Sequence, residues 1–435
     1  MVIFKVTDNI NIKTTDGTLV KYEKLKDSSS LLNEKVYIST LEDFNDLKRV
    51  FKNVGSKYKT KIIDESSVRY LSQFPRELGV NNINEYNITN NLNYKYKDKI
   101  AIENGNNLIE SVYLNEDRVD LKKQIDKPLK SDVKVVILGS LGFSISQMIC
   151  ACTALRIFYE KLSKQFRSVQ LDIYLNASEN RFYSRDKTIF SNQTFIHKVS
   201  PLCIDVKEFC KYDFFVDASS VCKRSFYKML NYTDAWLYKF GIDYKKIPNK
   251  QKYNQINLNG FKPQKELVDK IDGIKEKGKI LLFHPYSANA SKSIPKEYAV
   301  GLLSKMIKKM PDYLFVSTLK IDNKFTNEKY FDLSKDSNSF LDFCYIISQV
   351  DKVLTVNTST YHIADAFFIP SVVIYTQYDK DKVVRKYDNS EAIFIKDKVK
   401  DFNQFIFKNE SLLLNRFSGW QDLKASKVIK LLEKL

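Results

Sequence analysis

Three short stretches of this 435-residue chain combine residue types that could hold a phosphorylated ligand. The first is Gly139-Ser-Leu-Gly-Phe-Ser-Ile-Ser146. Glycines at a strand-to-helix turn let backbone N–H groups approach a ligand, and a helix N-terminus favours negative charge. The stretch lacks the full G-x-G-x-x-G pattern, which argues against a dinucleotide site, and a tight turn alone would also account for it. The second is His284-Pro-Tyr-Ser-Ala-Asn-Ala-Ser-Lys-Ser-Ile-Pro295, a loop of small polar residues carrying Ser287 and Lys292. A lysine there can neutralise a phosphate as a compact charge, with hydroxyls adding donors; a solvated loop lysine is the plainer reading. The third is Thr355-Val-Asn-Thr-Ser-Thr-Tyr-His362. It brings Asn357, Thr358 and Ser359 to a helix N-terminus, with His362 in the first turns. Hydroxyls and free N–H groups there would hold a diphosphate, although helix capping explains Thr358 and Ser359 equally well. Of only three histidines, His284 and His362 fall in these last two stretches.

Regular elements must position these stretches, and the patterning supplies them. Val135-Val-Ile-Leu138 is a wholly apolar run of the kind found in buried parallel strands. It leads into the glycine turn and a helix through Ile145, Met148, Ile149, Cys152, Leu155 and Phe158. Further strands are predicted over 169–175 and 213–217. A second block follows the Lys- and Gly-containing segment 272–278. It reads as strand 280–283, helix 296–310 ended by Pro311, strand 313–317, helix 340–350, strand 353–356, a helix from Thr360 and strand 371–375. An amphipathic helix over 419–435 closes the chain. Such alternation predicts doubly wound α/β sheets, whose ligands bind at the carboxyl ends of the strands. Two blocks in succession predict two lobes with a cleft.

Residues 1–130 are patterned differently. Residues 3–6 and 19–22 flank a turn signal at Thr15-Asp-Gly17, which predicts a hairpin, and residues 41–51 carry apolar side chains at helical spacing. Residues 81–93 are Asn-rich and turn-like, and 121–132 read as a polar, Lys-rich connector containing Pro128. The predicted division is a small α+β accessory module with its linker over 1–130, a first lobe over 131–260 and a second over 261–435.

Composition narrows the classes. A hydrophobic share of 43% beside 28% charged residues belongs to a globular chain and argues against wholesale disorder. No apolar run approaches the roughly 20 residues needed to cross a bilayer, and the first residues lack a signal-peptide pattern. A cytoplasmic protein is therefore expected. Net charge is +18, which favours anionic partners, including the inner face of an anionic membrane as a peripheral contact. Lysine is spread along the whole chain and no nucleic-acid module is recognisable, so no nucleic-acid partner is expected. The six cysteines form no Cys-x-x-Cys pair and read as reduced and buried. The pair Asp379-Lys-Asp381 lies in a Lys-rich loop and reads as solvated, not as a metal site.

Together the three stretches resemble the heptosyltransferase-type glycosyltransferases of the GT-B fold. That family opens its first lobe with an apolar strand, a Gly-x-Gly-Asp-like turn and a helix, and the run from Val135 to Leu155 is similar. It opens the second with a His-Pro-Gly-like strand end, then Lys-x-Trp-Pro, to which His284-Pro285 and Lys292-Ser-Ile-Pro295 are similar. It then carries Asp-Thr-Gly, two residues, His, a small-residue helix, Pro and a strand. Asn357-Thr-Ser-Thr-Tyr-His362, Ala364, Ala366, Pro370 and Val372-Val-Ile-Tyr375 resemble this in order and spacing. The likeness runs from Lys134 to Leu435.

The resemblance implies inverting, metal-independent transfer of a sugar, with heptose among the candidates. The donor would be a nucleotide-diphosphate sugar, the acceptor a glycan, lipid-linked or protein hydroxyl, and no further cofactor would be needed. Ser287, Lys292, Asn357, Thr358, Ser359 and His362 would hold the donor on the second lobe. Gly142 and Ser144 would belong to an acceptor-side loop on the first. Four positions depart from the pattern. Phe143 stands where the family has its aspartate base, and a phenyl ring cannot accept a proton. Asn357 replaces the aspartate, Ser359 the glycine and Ile294 the tryptophan. Asp217, at the end of strand 213–217, is the substitute base to test; its plainer role is capping the next turn. Two rival readings remain: a non-catalytic descendant that binds nucleotide sugars or acts as a scaffold, with residues 1–130 as its interaction module, and a polyanion-binding protein.

Overall fold

Apolar runs buried on both faces build two parallel sheets, one in each of two units, residues 1–248 and 249–435. The computed structural model describes residues 1–24, 35–53, 60–63, 73–80, 120–125, 131–219, 221–224, 226–227, 230–289, 292–376, 384–396, 407–409, 412–414 and 418–435. The expected loop 81–93, Pro128, Asp379 and Asp381 lie outside them.

The first unit contains β1 (Val2–Val6), β2 (Ile10–Lys13), β3 (Leu19–Tyr22), β4 (Tyr37–Ser39), β5 (Thr60–Ile62), β6 (Arg76–Glu77), β7 (Asp132–Leu138), β8 (Ser168–Leu175), β9 (Lys198–Pro201), β10 (Ile204–Asp205) and β11 (Phe214–Asp217). Its parallel sheet runs β6-β11-β7-β8-β9. The expected hairpin exists, but it joins β2 to β3, not residues 3–6 to 19–22. β1 instead pairs with β4 and β5. Ile3, Phe4 and Val6 are buried in a strand paired on both edges, which a local turn signal does not register.

The described residues among the first 130 are not a separate body. β10, from within the α/β block, adds antiparallel to β4, and β6 extends the parallel sheet at its edge. Ile3, Val36 and Ile38 share one core with Val136, Leu138, Tyr174 and Phe215. The connector read at 121–132 contains a helical turn, Leu121–Ile125, whose two end residues are buried. The units divide at Pro248/Asn249, not at 260/261.

The second unit contains β12 (Lys279–His284), β13 (Tyr313–Ser317), β14 (Tyr330–Asp332), β15 (Lys352–Val356), β16 (Ser371–Thr376), β17 (Ser390–Ile395) and an antiparallel pair, β18 (Phe407–Asn409) and β19 (Leu412–Leu414). Its parallel sheet runs β14-β13-β12-β15-β16-β17, the 3-2-1-4-5-6 order of a doubly wound Rossmann-like sheet. Helix Lys296–Lys309 buries Ala299, Leu302, Leu303, Met306 and Ile307, the i, i+3, i+4, i+7, i+8 stripe that seats a helix on a sheet. The Leu, Met and Ile side chains of this stripe each contribute about 1.5–3 kcal/mol on burial. Helix Ala425–Lys434 adds Val428, Ile429 and Leu432 to the same core.

All six cysteines are free thiols; Cys150, Cys152 and Cys344 are buried, whereas Cys203, Cys210 and Cys222 are only partly so. Among the described residues, no helix is long and apolar enough to cross a membrane.

Candidate functional site

In the second unit the strand order reverses between β12 and β15, and loops leaving their carboxyl ends diverge there. Residues 285–295 and 357–359 are those loops. The first is closed on itself by Ser293, whose Oγ accepts from Ser287 N–H (2.9 Å) and lies 3.1 Å from the Ser287 carbonyl. Ile294 N–H donates to the Pro285 carbonyl (2.9 Å), which sets the direction from which Pro295 starts the next helix. Ser287 Oγ accepts from Asn289 N–H (3.2 Å). These bonds present Lys292 at the end of a tied loop.

The second loop is organised by threonines. Thr358 is the N-cap of helix Ser359–Ala366, and its Oγ1 accepts from Thr360 N–H (3.2 Å) and donates to Thr360 Oγ1 (3.0 Å). It lies 3.2 Å from Thr355 Oγ1, which in turn donates to the His284 carbonyl (3.1 Å). The Thr358 hydroxyl is thus taken up by capping. Ser359, the first helical residue, is partly exposed and its hydroxyl makes no hydrogen bond among the described residues. Asn357 stands partly exposed just before it.

His362 is buried within a network that no local pattern announces. Asn254 Nδ2 donates both to the His362 carbonyl (3.0 Å) and to the Tyr387 hydroxyl (2.8 Å). A carbonyl can only accept, so the amide orientation is fixed, and Tyr387, which accepts from that amide, keeps its own proton 2.6 Å from His362 Nδ1. Donated there, that proton leaves the ring proton of His362 on Nε2. Burial, then the positive charges of Arg385 and Lys292, bring the His362 pKa down to about 3 and hold the ring neutral. That influence places Lys292 and Arg385 in electrostatic reach of His362. Arg385 packs over the Tyr387 ring (5.2 Å) and donates to Asn249 Oδ1 (2.8 Å), so it acts through charge and position. Asp365, whose Oδ2 accepts from Asn254 N–H (2.8 Å), has its pKa raised by burial to about 7. His284 is buried with Nδ1 3.0 Å from Thr318 Oγ1, and desolvation takes it to about 4.

In the first unit the corresponding reversal lies between β7 and β11. Gly139 has φ +107, and a Cβ there would stand 3.1 Å from Thr40 Cγ2 and 3.3 Å from Ser219 N, so the glycine admits Thr40 to the crevice. Gly142 has φ +150, and a Cβ would stand 2.8 Å from Gln147 Cβ. Ser144 caps helix Ile145–Ser163 by accepting from Gln147 N–H (3.4 Å), and Gln147 Oε1 accepts from Phe143 N–H (2.7 Å). Gly142 and Ser144 thus build the turn itself. Asp217 is buried, its Oδ1 accepting from Ser219 N–H (2.9 Å) at the strand end.

Thr40 begins helix Leu41–Asn53, which docks on the carboxyl edge of the sheet through Asp43. This fully buried carboxylate accepts from Ala177 N–H (3.0 Å) and Ser178 N–H (3.1 Å). Desolvation outweighs those bonds and raises its pKa to about 7.

The structure therefore gathers Lys292, Ser359, Asn357 and His362 on one edge of the second sheet, with Thr358 as their cap. Gly142, Ser144 and Asp217 sit on the carboxyl edge of the first. Sequence reasoning missed Asn254, Tyr387, Arg385 and the Thr40–Asp43 docking, because no motif marks them. Among the described residues, no group of His, Cys, Asp and Glu is placed to hold a metal ion.

No protein-family model matches the chain, and no curated protein does. Among solved structures it is similar to a glycosyl transferase family 9 protein from Veillonella parvula, at 10% identity and TM-score 0.46, covering 70% of this chain and 98% of that one. It is similar to ADP-heptose LPS heptosyltransferase II of E. coli at 13% identity and TM-score 0.46, covering 69% and 98%. It is also similar to UDP-GlcNAc 2-epimerase from Neisseria meningitidis at 12% identity and TM-score 0.32, covering 55% and 82%. The second is of the heptosyltransferase type that the sequence motifs resemble. Likenesses this loose carry no argument, and the chemistry is read from topology and side chains.

Proposed function

We propose that the protein is a glycosyltransferase that moves a sugar, with heptose among the candidates, from a nucleotide-diphosphate donor to a glycan, lipid-linked or protein acceptor. Transfer would proceed with inversion and without a divalent ion, in the cytoplasm, with the chain's positive charge allowing contact with an anionic membrane face. The observation that carries this reading is the convergence of Lys292, the N-terminus of helix Ser359–Ala366 and neutral His362 at the reversal of strand order between β12 and β15. The charge developing on a departing diphosphate would meet a lysine, the Ser359 hydroxyl and the first N–H groups of a helix, all fixed beforehand. Neutral His362 lies buried in the same helix, close enough to Lys292 to feel its charge. The motif resemblance supplies the reaction class.

Titration calorimetry with ADP, UDP and GDP tests the donor site. Lys292→Ala is expected to weaken diphosphate binding about tenfold, equivalent to ~1.4 kcal/mol. Unchanged affinity would remove the assignment. One observation favours a second reading, a non-catalytic nucleotide-sugar-binding protein. Phe143 is 60% exposed where the resembling family keeps its base, and Asp217 is buried. On that reading a panel of labelled nucleotide sugars would bind but be neither transferred nor hydrolysed.

A further inference from the structure

We infer that helices Lys296–Lys309 and Ala425–Lys434 dock the second unit on an anionic lipid surface, through the lysines on the face they turn away from their sheet. The proposed function brings such a surface into contact through net charge alone. The docking face rests on that reading for its setting but not for its chemistry.

The two helices pack against each other over one core, to which the first gives Leu302, Leu303 and Met306 and the second Val428, Ile429 and Leu432. Burying those stripes turns the opposite sides outward. There stand Lys305, Lys308 and Lys309 on the first helix and Lys427 and Lys430 on the second, with Lys424 at its N-cap, all exposed. None of these ammonium groups has an ion-pair or hydrogen-bond partner among the described residues. The neighbouring lysines differ: Lys296 is matched by Asp322 (2.7 Å) and Lys434 by Glu391. Of the acids on the two helices, Glu433 lies in electrostatic reach of Lys352 and Tyr313, which leaves Glu297 against the unmatched lysines. The face is therefore strongly positive.

Helix electrostatics accounts for part of this charge only. Lys308 and Lys309 occupy a last turn, where cations suit the dipole. Lys424 and Lys427 stand at the opposite, positive end of their helix, which has no side-chain cap and no acid in its first turn. An anionic surface offsets that repulsion. The cations are all lysines, point charges on flexible stems that can follow laterally mobile headgroups; arginine forks suit the fixed phosphates of nucleic acid or a phosphopeptide. Gly301 lies on the same side as Lys305 and Lys308, and a Cβ there would meet nothing within 4 Å, so no bulk holds a flat surface off. Tyr298, 39% exposed, and the partly exposed Leu431 and Leu435 add groups that can enter a headgroup layer.

Vesicle co-sedimentation of the full chain tests this, with phosphatidylcholine vesicles made with and without phosphatidylglycerol. Binding is expected only to the phosphatidylglycerol vesicles. Joint replacement Lys305→Gln, Lys308→Gln, Lys427→Gln and Lys430→Gln is expected to weaken it about a hundredfold. These side chains are exposed, so the variant should fold, which circular dichroism checks. A control removes the same charge from exposed lysines of the first unit, by Lys13→Gln, Lys122→Gln, Lys161→Gln and Lys164→Gln, and is expected to bind as wild type does. Equal loss in both variants would overturn the inference, because net charge alone would then explain binding. Equal binding to both kinds of vesicle would overturn it too, as would tighter binding to duplex DNA or to polyglutamate than to the anionic vesicles. Vesicle binding that depends on these lysines while no nucleoside diphosphate binds would support the docking face and sink the donor reading.

Discussion

His362 shows how far a side chain's chemistry depends on its neighbours. Its place in the first turns of the helix after β15 is legible in the sequence, but its neutrality and tautomer are not. Those come from Tyr387, Asn254 and Arg385, whose types carry no motif and whose positions are far apart in the chain. The folded pKa values of His362 and His284, about 3 and about 4, lie below the ordinary histidine value. The unfolded chain thus takes up protons that the native rings refuse. The stability these two residues contribute is present above about pH 6.5 and is lost as pH falls through their folded values. Nitrogen-detected NMR is expected to find His362 as the Nε2–H tautomer with no titration between about pH 5 and 8. A midpoint near 6.5 would contradict the network.

At the scale of elements, helix Leu41–Asn53 is the informative case. Its apolar spacing is plain in the sequence, with Phe44, Leu47 and Phe51 on the buried side. Its destination is not, because Asp43 reads as an ordinary first-turn acid. In the fold Asp43 receives two backbone N–H groups after β8 and is fully desolvated, with a pKa raised to about 7. A carboxyl whose folded pKa exceeds its unfolded value stabilises most below the unfolded value, and that contribution is lost as pH rises to about 7. Asp43→Asn keeps the acceptor for both N–H groups and has no proton to lose. Its stability relative to wild type is expected to improve between about pH 4 and 7, by up to ~1.4 kcal/mol per pH unit. Urea unfolding across that range checks this, and a pH-independent difference would show that Asp43 is not the titrating group. The hairpin teaches the same lesson: Asp16-Gly17 marks the turn, but only sheet pairing decides that β2, not β1, is its first arm.

For the whole molecule, the net charge of +18 is the property most open to misreading. Many lysines are matched by nearby acids, as in Lys187–Asp16, Lys270–Asp336 and Lys296–Asp322, and such exposed pairs hold charge without aiming it. Affinity for duplex DNA is therefore expected to be weak at physiological salt. Tight binding with a steep fall on added salt, measured by fluorescence anisotropy, would instead mark a dedicated polyanion surface.

The sequence by itself determined the inner strands of the two parallel sheets, because strands buried on both faces are written as largely apolar runs; the edge strands β6, β9, β14 and β17 carry no such run and were decided by pairing. It also located the loop that carries Lys292 and the helix start that carries Ser359 and His362, since both must follow the strands. The tertiary structure alone decided the rest. Antiparallel pairing of β10 with β4 and a shared core tie the described N-terminal strands to the first unit's parallel sheet. Thr40 enters the crevice beside Gly139. Each of these is a contact between segments far apart in the chain, and local periodicity encodes which face of an element is buried but not what buries it.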